Sequence, residues 1–144
     1  MNKLLGMLWL CLCCIACQTD NIIKPYSYLN IKFIEDEDYI MLERIEGSWE
    51  NEKAHLEAFG YKNEHFHLDL SPITVEGRFT DLSINNIYFN DGADFTPSRL
   101  DSGFIEISNV NATQVGGSFR VVLENHFNGI QQRTLEGKFL INIH

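Results

Sequence analysis

The sequence predicts an all-β protein, an antiparallel β-sandwich of eight or nine strands. Three observations carry this. From Tyr28 onward apolar and polar residues alternate at a period of two, helical periodicity is nearly absent, and two pairs of alternating runs register against each other through their faces alone. Alternation marks a strand with one face buried and one solvated, because successive side chains point to opposite sides. An open meander β-barrel satisfies the same pattern and stands as the alternative.

The elements follow in chain order. Leu29, Ile31 and Phe33 alternate with Asn30 and Lys32 in a first strand. Residues 39–45 form a second apolar run, after which Glu46-Gly47 reads as a tight turn with Trp49 just beyond it. Acids at its start and Gly47 after its end also allow a short helix over 36–46. Ala54, Leu56 and Ala58 then alternate with Lys53, His55 and Glu57, and Phe66, Leu68 and Leu70 with His65, His67 and Asp69. Shorter strands are expected over 75–81 and 86–90. Ile105 and Ile107 alternate with Phe104, Glu106 and Ser108 in another, closed by Asn109. The longest runs are 115–126 and 132–143.

Register follows from the faces, since a slip of one residue would move every apolar side chain to the wrong side. Pairing Ala58 with Phe66 sets Leu56 opposite Leu68 and Ala54 opposite Leu70, with a loop from Gly60 to Glu64. In the last hairpin Phe127-Asn128-Gly129 serves as a three-residue loop with glycine at the left-handed position. His126 then faces Ile130, Arg120 faces Glu136, and Val115 faces Ile141. The same register lays Phe119 across Gly137 and Phe139 across Gly117, aromatic rings covering facing glycines. The expected core is Leu56, Phe66, Leu68, Phe79, Ile105, Ile107, Phe119, Val121, Phe139 and Ile141.

The N-terminus is of another kind. Lys3 supplies one positive charge, and residues 4–16 carry none, the pattern of a secretory signal peptide. The run is too short to span a bilayer, which takes ~20 apolar residues. It ends Cys14-Ile15-Ala16-Cys17, then turns polar. This ending resembles the lipobox of bacterial lipoproteins, with Cys14 where leucine is usual. The resemblance implies diacylglycerol transfer to the Cys17 sulfur and cleavage before it, since small Ala16 precedes Cys17 whereas bulky leucines precede Cys11 and Cys13. An ordinary cleaved signal or an uncleaved anchor are the alternatives. The expected organisation is a signal peptide at 1–16, a lipidated tether at 17–27 and one β domain at 28–144. One acyl chain binds a membrane reversibly, at ~0.8 kcal/mol per methylene; the two or three that the resemblance implies make attachment effectively permanent. All four cysteines lie at or before position 17, so the mature chain of 128 residues relies on its core rather than on disulfides.

A second resemblance is carried by the mature chain. Gly103-Phe104-Ile105-Glu106-Ile107-Ser108, Val115-Gly116-Gly117-Ser118-Phe119 and Leu135-Glu136-Gly137-Lys138-Phe139 are similar to the C-terminal half of small Bacteroidota lipoproteins of unknown function. Val121 stands where the second aromatic of their middle motif falls, and Arg44-Ile45-Glu46-Gly47-Ser48-Trp49 resembles their N-terminal hairpin. The resemblance covers residues 40–144. It implies an all-β fold in the cell envelope, at the outer membrane, on its periplasmic face or at the cell surface, and brings no catalytic residue.

Charge and motifs exclude more than they assign. The net charge of −9 becomes −10 once Lys3 leaves with the signal. Such a balance disfavours nucleic acid and anionic headgroups as partners. The Glu35-Asp36-Glu37-Asp38 cluster lacks the spaced ligands and glycine of a calcium loop and reads as a solvated turn. Asn90-Asp91-Gly92-Ala93-Asp94 reads as a loop, and so does the surrounding of Pro97. No Gly-x-Ser-x-Gly elbow, mature cysteine nucleophile or phosphate-cradling loop is present, so no catalytic residue and no cofactor is expected. The metal candidates are His55, His65, His67 and Asp69. In the register above they share one strand face with Glu57, His55 opposite Asp69 and Glu57 opposite His67. Cross-strand histidine–carboxylate pairing on a solvated face is the competing account of the same residues. Trp49, Tyr61, Tyr88, Phe89 and Phe95 would line a sugar or peptide surface if they clustered on one rim, and are otherwise core. The functional expectation is a non-catalytic binding or accessory module, anchored in the envelope at Cys17 and recognising a protein, peptide or glycan. A metal-binding protein or enzyme, and an inhibitor or immunity-type lipoprotein, are the alternatives.

Overall fold

A computed structural model describes residues 26–50, 53–71, 75–83, 85–125 and 131–142, with the side chains of Trp49 and Glu50 excepted. The expected signal peptide, Cys17, nearly all of the tether and the Phe127-Asn128-Gly129 loop lie outside the described residues.

Among the described residues there are ten strands and no helix: β1 (Tyr28–Phe33), β2 (Leu42–Glu50), β3 (Lys53–Gly60), β4 (His65–Leu70), β5 (Gly77–Phe79), β6 (Ile87–Asn90), β7 (Asp94–Pro97), β8 (Gly103–Val110), β9 (Gln114–Asn125) and β10 (Gln131–Asn142). Every pairing is antiparallel, in the order β1-β10-β9-β7-β6-β4-β3-β2, with β8 beside β9 and β5 beside β8. The sheet forks at β9. Its stretch from Val115 to Val121 pairs β8, whereas Leu123 and Glu124 pair Pro97 and Thr96 of β7. The sheet therefore folds into two layers, β5-β8-β9-β10-β1 and β7-β6-β4-β3-β2, joined at the β7–β9 corner. It nearly closes again on the opposite side, where Ile40 N donates to Ile31 O at 2.9 Å. Sandwich and barrel are here two descriptions of one nearly closed sheet.

Both self-registered hairpins form as their faces require. Ala58 pairs Phe66, Leu56 pairs Leu68, and Ala54 pairs Leu70. In the last hairpin Arg120 pairs Glu136, Phe119 pairs Gly137, Gly117 pairs Phe139, and Val115 pairs Ile141. Phe66 stacks on Phe119 across the layers, with ring centroids 5.4 Å apart. Phe33 meets Phe89 edge to face at 5.1 Å. The expected core residues are buried, except that Phe79, on the three-residue β5, is only partly covered.

Four details of the expectation change. Glu46-Gly47 is not a turn but the middle of β2, where Gly47 pairs Leu56. A Cβ at Gly47 would strike the Ser27 side chain and lie 3.1 Å from Ile141 Cγ2, so the glycine allows close approach instead of reversal. Residues 36–46 form no helix; an exposed turn leads into β2. Asn109 does not close its strand, because a bulge after Ile107 re-registers β8 so that it continues to Val110. Finally, Asp94–Pro97 is a strand, with Pro97 at its last position, where the missing N–H costs no continuing ladder. This raises the count from eight or nine to ten.

Candidate functional site

The outward face of β3 and β4 is built by alternation. Ala54, Leu56, Ala58, Phe66, Leu68 and Leu70 take the buried positions, so His55, Glu57, His65, His67 and Asp69 must share the other side. Glu57 lies at the centre. His67 Nδ1 donates to its Oε1 at 2.9 Å, and His65 Nε2 donates to its Oε2. His55 Nε2 is 3.4 Å from Oε1. The His55 and His67 rings meet edge to face at 5.0 Å, while His65 stacks flat on Phe59 at 4.9 Å. Burial pushes the Glu57 carboxyl up, but the hydrogen bonds and charge of His67 and His65 outweigh it and hold the group below its ordinary value.

His55, Glu57 and His67 each offer one ligand atom, all within 4.8 Å of one another. Of the four residues singled out by sequence, the fold thus joins His55 and His67. It turns His65 to the far oxygen of Glu57. Asp69 stands directly opposite His55 but outside the triad, its Oδ1 buried and without a hydrogen-bond partner among the described residues. Glu57 is the hub that sequence reasoning placed only as a neighbour; its signal was the register setting it opposite His67.

The face continues onto β6, where Tyr88 donates its hydroxyl to Asp94 and Asn90 Nδ2 donates to the same carboxylate. Burial and the bond to Asp94 push the Tyr88 phenol up, and the two donors hold the Asp94 carboxyl down. Of the aromatic residues that sequence left between a surface rim and the core, two take core positions. Phe89 and Phe95 are buried in the core, Tyr61 is exposed, Tyr88 is half-buried, and the Trp49 side chain lies outside the described residues.

A second feature, on the opposite layer, has no counterpart among the sequence expectations. Tyr28, Asn30, Tyr39, Phe104, Arg120 and Lys138 border a trough of about 420 Å³, which Ser118, Phe119, Glu136 and Gly137 also line. Its walls are aromatic: Tyr28 is 46% and Tyr39 56% exposed, and Arg78 lies over the Phe104 ring at 3.5 Å. Pairings across the layer place Lys32, Glu136, Arg120 and Phe104 in one row, and Lys138, Ser118, Glu106 and Arg78 in the next. Four cations thus stand against two carboxylates on this face of an acidic chain. The residues come from five strands and the segment between β1 and β2, so no local motif announces them.

Among the described residues, two larger hollows lie between loops. In one, Arg133 is already committed to Asp36 at 2.7 Å and Asp91 at 3.6 Å and lies over the Phe33 ring. The other is walled by residues 80–83 and 96–103, the latter running from the end of β7 to the start of β8. No family model, curated protein or solved structure matches this chain.

Proposed function

We propose that this protein is a non-catalytic binding module, tethered outside the cytoplasm by acyl chains on Cys17, that takes a glycan bearing negative charge. The trough is the observation that carries this reading. Its size falls in the ~300–1,000 Å³ range of small-ligand sites. Exposed rings offer apolar faces against which sugar C–H groups can lie, and Asn30 and Arg120 supply directional polar partners between them. On this face Lys32, Arg78, Arg120 and Lys138 outnumber Glu106 and Glu136 by two, even with Lys32 paired to Glu136 at 3.4 Å, which favours an anionic ligand despite the net charge of −9. The signal-like N-terminus and lipobox-type ending support the compartment.

Titration of full-length, detergent-solubilised protein with anionic and neutral oligosaccharides tests the ligand reading. An anionic member is expected to bind, and Tyr39→Ala and Phe104→Ala are each expected to weaken it about tenfold or more, as buried aromatic contacts do. Equal affinity in both folded variants would place the ligand elsewhere. The anchor is tested separately: Cys17→Ser is expected to leave the membrane fraction and to escape lipid labelling.

A further inference from the structure

The three histidines and Glu57 on β3 and β4 form a site of their own, on the layer opposite the trough. A tetrahedral zinc ion holds its ligands at ~2.0–2.2 Å, which sets them roughly 3.3 Å from each other. The Glu57 Oε1–His67 Nδ1 edge is 2.9 Å and the Glu57 Oε1–His55 Nε2 edge is 3.4 Å. All three atoms lie within 4.8 Å, so side-chain rotations alone close the third edge. The rigid pleat of two paired strands fixes the three Cβ positions.

The surroundings point the same way. His65 holds the second oxygen of Glu57, as an outer partner orients a ligating carboxylate. Glu46 stands directly opposite Glu57 across the β2–β3 ladder. Like charges so placed repel, which favours a Glu57 carboxylate turned toward β4. Arg44 draws the Glu46 carboxylate aside at 3.1 Å, which leaves Glu57 to the imidazoles. Asp69, opposite His55, carries a buried oxygen that accepts no hydrogen bond among the described residues. This end of the site therefore has acceptor capacity to spare.

We propose that His55, Glu57 and His67 bind one divalent transition-metal ion of the zinc class. Two imidazoles with one carboxylate favour zinc over calcium or magnesium, which prefer all-oxygen shells. The half-exposed position leaves a fourth ligand place toward solvent. Zinc at Nδ1 of His67 replaces the proton now donated from there to Glu57, which moves to Nε2 or to solvent. The assignment is independent of the trough, and failure of either reading leaves the other standing.

The test is titration of metal-stripped, full-length, detergent-solubilised protein with zinc sulfate, read by calorimetry and by thermal midpoint. One ion per chain and a raised midpoint are expected, with no rise in calcium chloride at the same concentration. Glu57→Gln and His67→Gln should weaken binding by more than about a hundredfold, and His65→Gln, an outer partner, by about tenfold. Long-range nitrogen NMR should show zinc on Nδ1 of His67 and Nε2 of His55. Circular dichroism reports the fold of each variant, and His55→Gln, at a more exposed position, carries the same test if Glu57→Gln does not fold. Absence of zinc binding to wild type, or undiminished binding by a folded His55→Gln/His67→Gln variant, overturns the assignment.

Discussion

Single residues set the chemistry of the β4–β6–β7 face through short polar contacts on a pleated surface. Asp94 shows the logic with least interference, because its partners are a phenol and an amide. Its carboxyl is held below the ordinary value by hydrogen bonds from Tyr88 and Asn90, against a small opposing effect of burial. A carboxyl lowered in the folded state stabilises at pH values above its unfolded pKa, and that contribution disappears as pH falls through the folded value. Tyr88→Phe removes one donor. Carbon NMR titration of the Asp94 carboxyl should then show its pKa moving up toward the unperturbed value; an unmoved titration would mean the phenol contributes nothing.

At the scale of elements, the β9–β10 hairpin is legible in the sequence alone, and the reason is steric. Gly137 is the place where a ring must pass: a Cβ there would lie 2.6 Å from Phe119 Cζ and 2.7 Å from Asn30 O. The ring can give way, but the backbone oxygen of β1 cannot. Gly137→Ala should therefore cost about 1–3 kcal/mol, as overpacking does. Gly77 in β5 is the control, since nothing among the described residues lies within 4 Å of its virtual Cβ and its φ is not in the left-handed region. Gly77→Ala should be neutral or stabilising by up to ~1 kcal/mol through loss of unfolded-chain entropy. Urea denaturation of the two variants measures both. Where sequence and structure part at this scale, the reasons are equally local. Pro97 and the Asn90–Asp94 composition disguise β7, which is only four residues long and ends at the proline. Gly92, at φ 103°, does make the turn that composition announces between β6 and β7, but the strand resumes two residues later.

For the whole molecule, the decisive features are the fork at β9 and the seam where β1 and β10 come near β2. At the fork, the buried carboxylate of Glu124 accepts from Ser98 Oγ at 2.5 Å and Gln132 Nε2 at 2.7 Å, tying the β7 corner to both layers. At the seam, Asn142 N donates to Ser27 Oγ at 3.3 Å while Gly47 packs against the same serine and Ile141. A side chain at Gly47 has no free volume there. Gly47→Val should loosen the seam, with faster amide hydrogen exchange in β1 and a stability loss of about 1–3 kcal/mol. Protection of β1 equal to wild type would show that the two edges are not coupled.

The division of labour between sequence and tertiary structure follows from range. Period-two alternation, glycine opposite aromatic, and charge opposite charge act between residues that are neighbours along a strand or across one hairpin. These alone determined the all-β class, the two hairpin registers and the common face of His55, Glu57, His65, His67 and Asp69. They also placed all but Phe79 of the expected core in full burial. Only the tertiary structure decided that β9 divides its partners between two layers, that Gly47 is a packing contact, and that Glu57 gathers three imidazoles. The trough belongs here too, since Tyr28, Tyr39, Phe104 and Arg120 are brought together by strand order, and strand order is set by burial summed over the entire chain rather than by any short stretch of it.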